Sequence, residues 1–331
     1  MLPLLIKMGE VSLDARDRAI LYYLDKDSRQ SISSIAKKIK LSKEVVNYRI
    51  KNLVKQGVID HFSTIIDGSK LGYVMYRVFI RFQNVGVEKE NEMLKYFKGF
   101  SSVGGIVQLE EIYDLSLLIW AKNIFEFKET YDAITKSYGE YFQKVLVTIV
   151  TNFCHFINNY LYNTSDFSMR SIGGKCELAQ LDAVDMQIME ILTEDARTPL
   201  LNIAKAVNVS PNTVKHRMKK MVKEGVIVGF RPHINASILG YQQYRIFVQL
   251  AKQDPALKTR LFEYLKVNKN VIHITESIGR GDLDFEMQVK NGVELYVHLD
   301  ELRKQFGTQL QEYRTTLVKQ EQVVSYFPRN S

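Results

Sequence analysis

Two short segments of the chain carry side chains that could contact a nucleic acid. Amide and imidazole groups can hydrogen-bond to the edges of bases, whereas lysine ammonium groups mainly neutralise phosphate. The alternative is an ordinary solvated helix face, which a mixed set of charges also fits. The candidate residues are Lys43, Glu44, Asn47, Tyr48 and Lys51 in the first segment, and Pro211, Asn212, Lys215, His216 and Lys219 in the second.

Arginines accompany both segments. Arg49 and Arg217 lie within the segments and could touch phosphate or brace the strand that follows. Arg29 and Arg197 each precede another short apolar segment, where they could clamp a phosphate backbone or act as a helix-end charge. The sequence alone leaves both alternatives open.

A glycine-rich turn offers a different chemistry. Gly279, Arg280, Gly281 and Asp282 follow one another. Glycines allow a backbone to approach a ligand closely, and exposed amides there can bind a carboxylate. These four residues are therefore a candidate site for a small molecule, with a plain β-turn as the alternative.

Other chemistries find little support. The sequence contains no phosphate-binding loop, dinucleotide fingerprint, zinc-protease motif or nucleophile elbow. The six histidines are scattered and show no zinc-ligand spacing. We therefore expect no enzyme activity, no catalytic residues, no cofactor and no bound metal.

The composition is that of an ordinary globular protein. A chain of 331 residues is long enough for two or more domains. Its 45 basic and 37 acidic residues give a net charge of +8, which permits a polyanionic partner without proving one. Two cysteines cannot build a disulfide framework, and no apolar run approaches bilayer length. We expect a cytoplasmic protein without a membrane partner.

The chain repeats itself. Leu13-Asp14-Ala15 returns as Leu181-Asp182-Ala183, an offset of 168 residues (181 − 13). A gapless comparison of 13–82 with 181–250 gives about 28 identities in 70 positions, far above chance. One unit is therefore present twice, as copy one and copy two, and the segment 158–180 between them is predicted to be a linker.

Each copy begins with a pattern of three short helices. A tight turn precedes the third helix, Ser42 and Ser210 are its predicted N-caps, and Gly57 and Gly225 end it. A short strand follows, which we interpret as part of a hairpin. This order predicts two winged helix-turn-helix domains, over 10–72 and 181–240.

The rest of each copy is ordered strand, helix, strand, strand, helix, strand. This order predicts ferredoxin-like domains over 73–157 and 241–328, so the fold class is α+β. One face of the first sheet is apolar, as in Val78, Ile80 and Phe82, and needs a cover. The sister domain is the obvious candidate for that cover.

In this order the motifs resemble the Lrp/AsnC (feast/famine) family of transcriptional regulators. The resemblance rests on the Leu-Asp start, Ile-Ala-Lys in the second helix, Val-x-x-Arg in the third, Gly-Val-Ile after it, and Leu-Gly-Tyr before the second domain. Members usually carry one unit per chain and pair two chains. The resemblance implies that this chain supplies both halves as an intrachain pseudo-dimer, and it leaves further homo-oligomer formation open.

The resemblance also implies a function. It implies a sequence-specific regulator that binds double-stranded DNA through third helices in the major groove. Because the two third helices differ, we expect unlike half-sites rather than a palindrome. The family's effector site has a glycine three residues before an aspartate, as in Gly279 and Asp282, and implies a small metabolite such as an amino acid. Copy one has Glu111 in place of that glycine, so we expect one ligand per chain or none.

Two rival functions remain. Sirohaem decarboxylases resemble the same two-domain unit and pair two unlike units, and His273 or His298 could then serve a tetrapyrrole. The second rival is a metabolite sensor whose DNA-binding helices have lapsed. Its signature would be the loss of basic residues from the third helices, which this sequence retains.

Overall fold

The computed structural model describes residues 11–279 and 281–323. The candidate residue Arg280 lies outside the described residues, as does the predicted end of the second ferredoxin-like domain at 328. In the described part of the chain, no helix has both the length and the apolar character needed to cross a membrane.

Copy one has the predicted α+β organisation. Three helices come first, then a strand, then the strand-helix-strand-strand-helix-strand order of a ferredoxin-like domain. The elements are α1 (Ala15–Lys26), α2 (Ile32–Ile39), α3 (Lys43–Lys55), β1 (Ile59–Ile66), β2 (Val74–Phe82), α4 (Val87–Lys98), β3 (Val103–Glu110), β4 (Leu115–Ala121), α5 (Ile124–Tyr138) and β5 (Phe142–Phe156).

The segment predicted to be a linker contains secondary structure of its own. It forms α6 (Asn159–Tyr162) and β6 (Met169–Gly173), and β6 pairs with β5. Leu161 and Tyr162 are buried in the same apolar cluster as α1 and α3. The connecting segment is therefore packed against copy one rather than looped out.

Copy two repeats the elements of copy one at the offset of 168 residues. Their order and type are the same, which confirms the tandem α+β organisation. The elements are α7 (Ala183–Glu194), α8 (Leu200–Ala206), α9 (Pro211–Lys223), β7 (Ile227–Ile234), β8 (Gln242–Leu250), α10 (Pro255–Lys266), β9 (Val271–Ile278), β10 (Leu283–Val289), α11 (Gly292–Phe306) and β11 (Leu310–Val323).

The third helices form where their sequence signals predict. Ser42 and Ser210 are the N-caps, and their hydroxyls accept the amides of Val45 and Thr213. Such a cap satisfies one of the amides that a helix start leaves unpaired. Gly57, at a φ of +76°, follows the end of α3 in the left-handed region, where glycine is favoured.

The strand after each third helix does not form a hairpin within its own copy, so that prediction is wrong. β1 pairs antiparallel with β7 of the other copy, with Ser63 opposite Arg231. A lone strand leaves its backbone groups unpaired, and the duplicated copy supplies the missing partner. We call the β1–β7 pair and its flanking contacts the seam, because it joins the two winged helix-turn-helix domains.

The two ferredoxin-like domains of the chain share one antiparallel sheet. β5 pairs with β9, and β11 pairs with β3, so the outer strands of each domain pair with the other domain. Because β2 also pairs with β5, the eight strands of the two domains close into a ring within the described ranges. Closure leaves these strands without an open edge.

The prediction that the second copy covers the sheet face with Val78 and Ile80 is wrong. Val78 and Ile80 are buried against helices α4 and α5 of their own domain. The alternate positions, Arg77 and Phe79, face the second copy instead, since Phe79 packs against Phe247. Strand periodicity fixes which residues share a face but does not say which partner covers that face.

Candidate nucleic-acid interface

The third helices present most of the candidate residues to solvent. On α3, Lys43, Glu44, Tyr48 and Lys51 are exposed, and Tyr48 reaches 71% exposure, whereas Asn47 is half-buried. On α9, the exposed candidates are Pro211, Asn212, Lys215, His216 and Lys219. The opposite side of each helix carries the buried stripe that fixes it to its domain, namely Val46, Ile50 and Leu53 on α3 and Val214, Met218 and Met221 on α9.

Glu44 gives α3 a negative charge that α9 lacks at the equivalent position. Hydrogen bonds from its own backbone amide and from Ser42 lower the pKa of Glu44, so the side chain is anionic at neutral pH. A carboxylate at the start of a helix is also favoured by the helix dipole. Near DNA such a group repels phosphate but can accept a hydrogen bond from the amino group of cytosine.

Arg49 and Arg217 brace the third helix of each copy against the first. Arg49 Nη1 lies 2.8 Å from Asp14 Oδ2 and 2.7 Å from Asp17 Oδ1. Arg217 makes the same contacts in copy two, with Asp182 and Asp185. The carboxylates belong to the capping boxes of α1 and α7. The brace therefore links two helices rather than a helix and the wing, and DNA contact by these arginines stays a prediction.

Arg29 and Arg197 lie in the seam. Arg29 donates to the carbonyl oxygen of Thr198, at 3.0 Å, and its guanidinium lies 5.6 Å from the centre of the Phe230 ring. Arg197 lies 5.1 Å from the centre of the Phe62 ring, the equivalent contact in the opposite direction. Both arginines thus join one copy to the other, which explains their presence without a phosphate contact.

Arg231 has a partner across the seam that copy one does not reproduce. Its Nε lies 3.0 Å from Asp25 Oδ1, and the Asp25 side chain is fully buried. The same carboxylate accepts hydrogen bonds from the Asn158 amide and the Tyr162 hydroxyl. The equivalent positions in the other copy are Ser63 and Thr193, so this ion pair exists in one orientation only.

The contacts of the glycine-rich turn account for its sequence without a ligand. Gly279 and Gly281 have positive φ values, of +124° and +66°. At Gly279 an added Cβ atom would lie 2.8 Å from the carbonyl oxygen of Val147, and at Gly281 it would lie 2.9 Å from the carbonyl oxygen of Val248. Both distances are too short for a side chain, so the local packing itself favours glycine at these positions.

Asp282 has a structural role that recurs in copy one. Its carboxylate accepts the Leu250 amide at 2.7 Å, as Asp114 accepts the Phe82 amide at 2.7 Å. Glu111 takes the place of Gly279 with a φ of +98°, an uncommon conformation for a residue other than glycine. Effector binding at Gly279, Arg280, Gly281 and Asp282 therefore stays a prediction.

A small cavity lined by both apolar and charged residues lies inside the strand ring. Its volume is about 50 Å³, and Arg77, Arg245, His155, His273 and Glu286 are among its lining residues. Glu286 is bound by Arg245 and by His273, whose Nδ1 lies 3.0 Å from Glu286 Oε2.

Asp284 completes the charge pairing around this cavity. It lies 3.2 Å from Arg77. Burial raises the pKa of Asp284 even though Arg77 and Arg245 act in the opposite direction. Sequence reasoning missed the cluster, although a Tyr-Arg pair kept at the same place in both copies, Tyr76-Arg77 and Tyr244-Arg245, is a signal of it.

Similarity to known proteins agrees with this geometry. Residues 13–60 and 181–228 match a domain family described as winged helix-turn-helix DNA-binding. The HTH-type transcriptional regulator LrpA of Pyrococcus horikoshii is 32% identical over 111 residues, which cover 34% of this chain and 77% of LrpA. The chain belongs to the Lrp/AsnC family of transcriptional regulators. Regulatory protein AsnC of Haemophilus influenzae is 43% identical over 61 residues, which are 18% of this chain and 41% of AsnC.

A solved structure shares the fold over nearly the whole length of this Lrp/AsnC protein. The siroheme decarboxylase NirDL aligns with a TM-score of 0.63 at 15% identity, covering 93% of this chain and 92% of that one. At this identity the likeness describes the fold of the paired units. Two copies of the Lrp/AsnC unit on one chain thus adopt an arrangement that another protein also has.

Proposed function

We propose that this chain is a transcription regulator that binds an asymmetric DNA site through two unlike recognition helices. The observation that carries the proposal is the solvent exposure of different side chains at equivalent positions of α3 and α9. Glu44 and Tyr48 on α3 correspond to Asn212 and His216 on α9. Helices with unlike exposed faces favour unlike base sequences.

The exposed lysines would supply affinity for DNA, and the other exposed polar side chains would supply sequence specificity. Lys51 and Lys219 are exposed at the same position of both helices and would neutralise phosphate. Glu44, Asn212 and His216 carry groups that can hydrogen-bond to base edges. The seam joins the two winged helix-turn-helix domains through the β1–β7 pair, so that one chain would present both third helices to DNA.

A small-molecule effector is the finer part of the proposal. It rests on the family resemblance and on the backbone of the turn at Gly279 and Gly281. A metabolite with a carboxylate, such as an amino acid, would bind the exposed amides there and change how chains assemble. Copy one, with Glu111, would not bind it.

The DNA-binding proposal is tested by salt-dependent binding. DNA selected from a random pool would be titrated at two salt concentrations with the wild type and with Lys215→Ala plus Lys219→Ala. Losing two phosphate contacts should weaken binding and reduce the slope of log K against log salt by about 1.8. Lys128→Ala plus Lys136→Ala removes the same charge from exposed positions of α5 and should leave the slope unchanged. An unchanged slope in the α9 variant would remove that helix from the interface.

A second candidate is a tetrapyrrole reaction like that of siroheme decarboxylases. The observations in its favour are the shared fold and the two histidines, His155 and His273, at the central cavity. The cavity volume opposes it, because about 50 Å³ is far below the roughly 300–1,000 Å³ of pockets that hold drug-sized ligands. His298 lies outside the cavity lining, beside Asn268 and Glu301. A Soret band on titration with a tetrapyrrole, without salt-dependent DNA binding, would favour the enzyme.

A further inference from the structure

Three metal-ligating side chains from the two copies meet at one end of the seam. Asp60 and His61 belong to β1, and His233 belongs to β7. Asp60 Oδ2 lies 2.9 Å from His61 Nδ1 and 3.7 Å from His233 Nδ1. One donor atom from each of the three residues lies within 4.8 Å of the others. The two imidazole rings are stacked, with centres 4.9 Å apart.

Strand pairing explains why these residues meet. His61 and His233 are directly opposite each other in the antiparallel β1–β7 pair, where side chains on one face are neighbours. The register shifts between Ile59 and His61, so Asp60 is an extra residue on β1. A bulge of this kind re-aims a side chain, and here the Asp60 carboxylate reaches both imidazoles.

The donor set suits a divalent transition metal. Imidazole nitrogen with a carboxylate oxygen is a ligand set of zinc, cobalt, nickel and iron, whereas magnesium and calcium prefer oxygen alone. At metal–ligand distances of about 2.0–2.2 Å, donors of one tetrahedral ion lie roughly 3.3 Å apart. The two separations that involve Asp60, of 2.9 and 3.7 Å, bracket that value, and all three donor atoms lie within 4.8 Å of one another. Three protein ligands leave a coordination position for water or another ligand.

The surroundings of His233 also suit a cation. Its Nδ1 atom is buried and makes no hydrogen bond among the described residues, although it is aimed at Asp60. Around it lie two carboxylates, Asp60 and Glu321, and one guanidinium, Arg231. The Asp60 side chain is 63% exposed, which provides an entry path.

We propose that Asp60, His61 and His233 bind one divalent transition-metal ion of the zinc class, which fastens the two winged helix-turn-helix domains together. β1 follows α3 directly and β7 follows α9, so the ion would tie the strand below one recognition helix to the strand below the other. Metal availability would then set how firmly the two helices keep their separation. This regulatory consequence rests on the proposed DNA-binding function, but the metal site itself does not.

The other end of the seam, related to the histidine end by pseudo-two-fold symmetry, serves as an internal comparison for the metal site. The positions equivalent to His61 and His233 in the other copy are Gly229 and Ile65, which face each other in the same strand pair. Glycine and isoleucine offer no metal-binding side-chain group, so the described residues hold one site of this kind at the seam. The stoichiometry of binding is therefore part of the prediction.

The test is calorimetric titration of Zn²⁺ into the full-length, tag-free protein after chelator treatment. We expect one ion per chain and a rise in Tm on binding. His61→Ala, His233→Ala and Asp60→Asn should each weaken binding by at least ~10-fold. Asp60→Asn keeps the shape of the side chain and therefore guards against a folding artefact. His298→Gln removes a histidine outside the cluster and should bind as the wild type does.

Two results would overturn the site: no saturable binding of Zn²⁺ or Co²⁺ to the wild type, or equal affinities for the wild type and the three cluster variants. DNA affinity measured with Zn²⁺ and with chelator separates this inference from the proposed function. Saturable Zn²⁺ binding without any DNA binding would contradict the function and leave the site standing. DNA binding without Zn²⁺ binding would contradict the metal site and leave the proposed function standing.

Discussion

The two copies share many contacts that hold each unit together, whereas they differ in the ion pairs between the copies and on the solvent-exposed faces of their third helices. Arg49 and Arg217 brace equivalent helices through equivalent aspartates, and Asp114 and Asp282 accept equivalent amides. The exposed faces of α3 and α9, by contrast, share few residues. Contacts within the unit are therefore largely kept in both copies, whereas the exposed faces of the third helices have diverged.

The ion pairs between the copies are complementary rather than symmetric. Asp25 of copy one binds Arg231 of copy two, and Arg77 of copy one binds Asp284 of copy two. The reverse pairs cannot form, because Thr193 and Ser63 replace the first pair, and Ser116 replaces Asp284. The chain has thus become a pair of unlike halves, each of which supplies charges that the other needs.

The largest effect is expected from removing Asp25. Asp25→Ala leaves Arg231 buried without its carboxylate, which should lower the free energy of unfolding by about 3–5 kcal/mol. Thr193→Ala, at the equivalent position of copy two, should cost less than about 1 kcal/mol. Urea denaturation of both variants measures the difference. Equal losses would mean that the asymmetry of this pair has no energetic meaning.

Asp284 tests the same comparison inside the strand ring. Asp284→Asn keeps the volume but removes the charge opposite Arg77, and we expect a loss of about 3 kcal/mol. The Glu286 carboxylate remains in the same cluster and still pairs with Arg245, so the loss of stability should be somewhat smaller than for Asp25→Ala. Ser116→Ala is the matched substitution in copy one and should be close to neutral. A larger effect from Ser116→Ala would reverse the assignment of the charged half.

A smaller, pH-dependent effect is expected from the segment that connects the copies. Although burial acts in the opposite direction, hydrogen bonds from Lys26, Ser168 and Tyr22 hold the pKa of Asp166 well below its usual range. Its contribution to stability is therefore fully present above the unfolded pKa of about 3.9 and is lost progressively as the pH falls from there through the lower pKa of the folded state.

Asp166→Asn should remove about 1 kcal/mol at pH 7 and clearly less at pH 2, where part of the contribution has been lost. Urea midpoints at the two pH values measure this difference. In copy two, Glu190 and Glu194 occupy the positions of Tyr22 and Lys26. The contact with Asp166 therefore has no equivalent in copy two. A loss that does not depend on pH would show that the contact is not electrostatic.

Much of the fold could be predicted from the sequence, because the signals are local. The N-caps Ser42 and Ser210, the buried stripes of α3 and α9 and the fixed repeat offset place the helices and the order of the strands. The partner of β1 and the buried side of Val78 could not be predicted, because both depend on pairing between distant strands. Alternation along a strand does not specify its partner.

The exposure of the candidate residues on the third helices could be predicted for the same reason, whereas the meeting of Asp60, His61 and His233 could not. The exposed positions of a recognition helix follow from helical periodicity. His61 and His233 have no characteristic spacing, and they meet only because β1 pairs with β7 across the copies. Ser63 and Arg231 occupy equivalent positions of the two copies and face each other in the strand pair. An assumed two-fold pairing of the duplicated strands about these residues would therefore have predicted that the two histidines are neighbours.

The central claim is that each recognition helix of one chain reads its own half-site. The direct test exchanges the exposed face of α3 for that of α9, through Glu44→Asn, Asn47→Lys and Tyr48→His. Sequences selected from random DNA should be asymmetric for the wild type and palindromic for the exchanged variant, with the α9 half-site on both sides. The same motif from both proteins, or no enriched motif from either, would contradict the account.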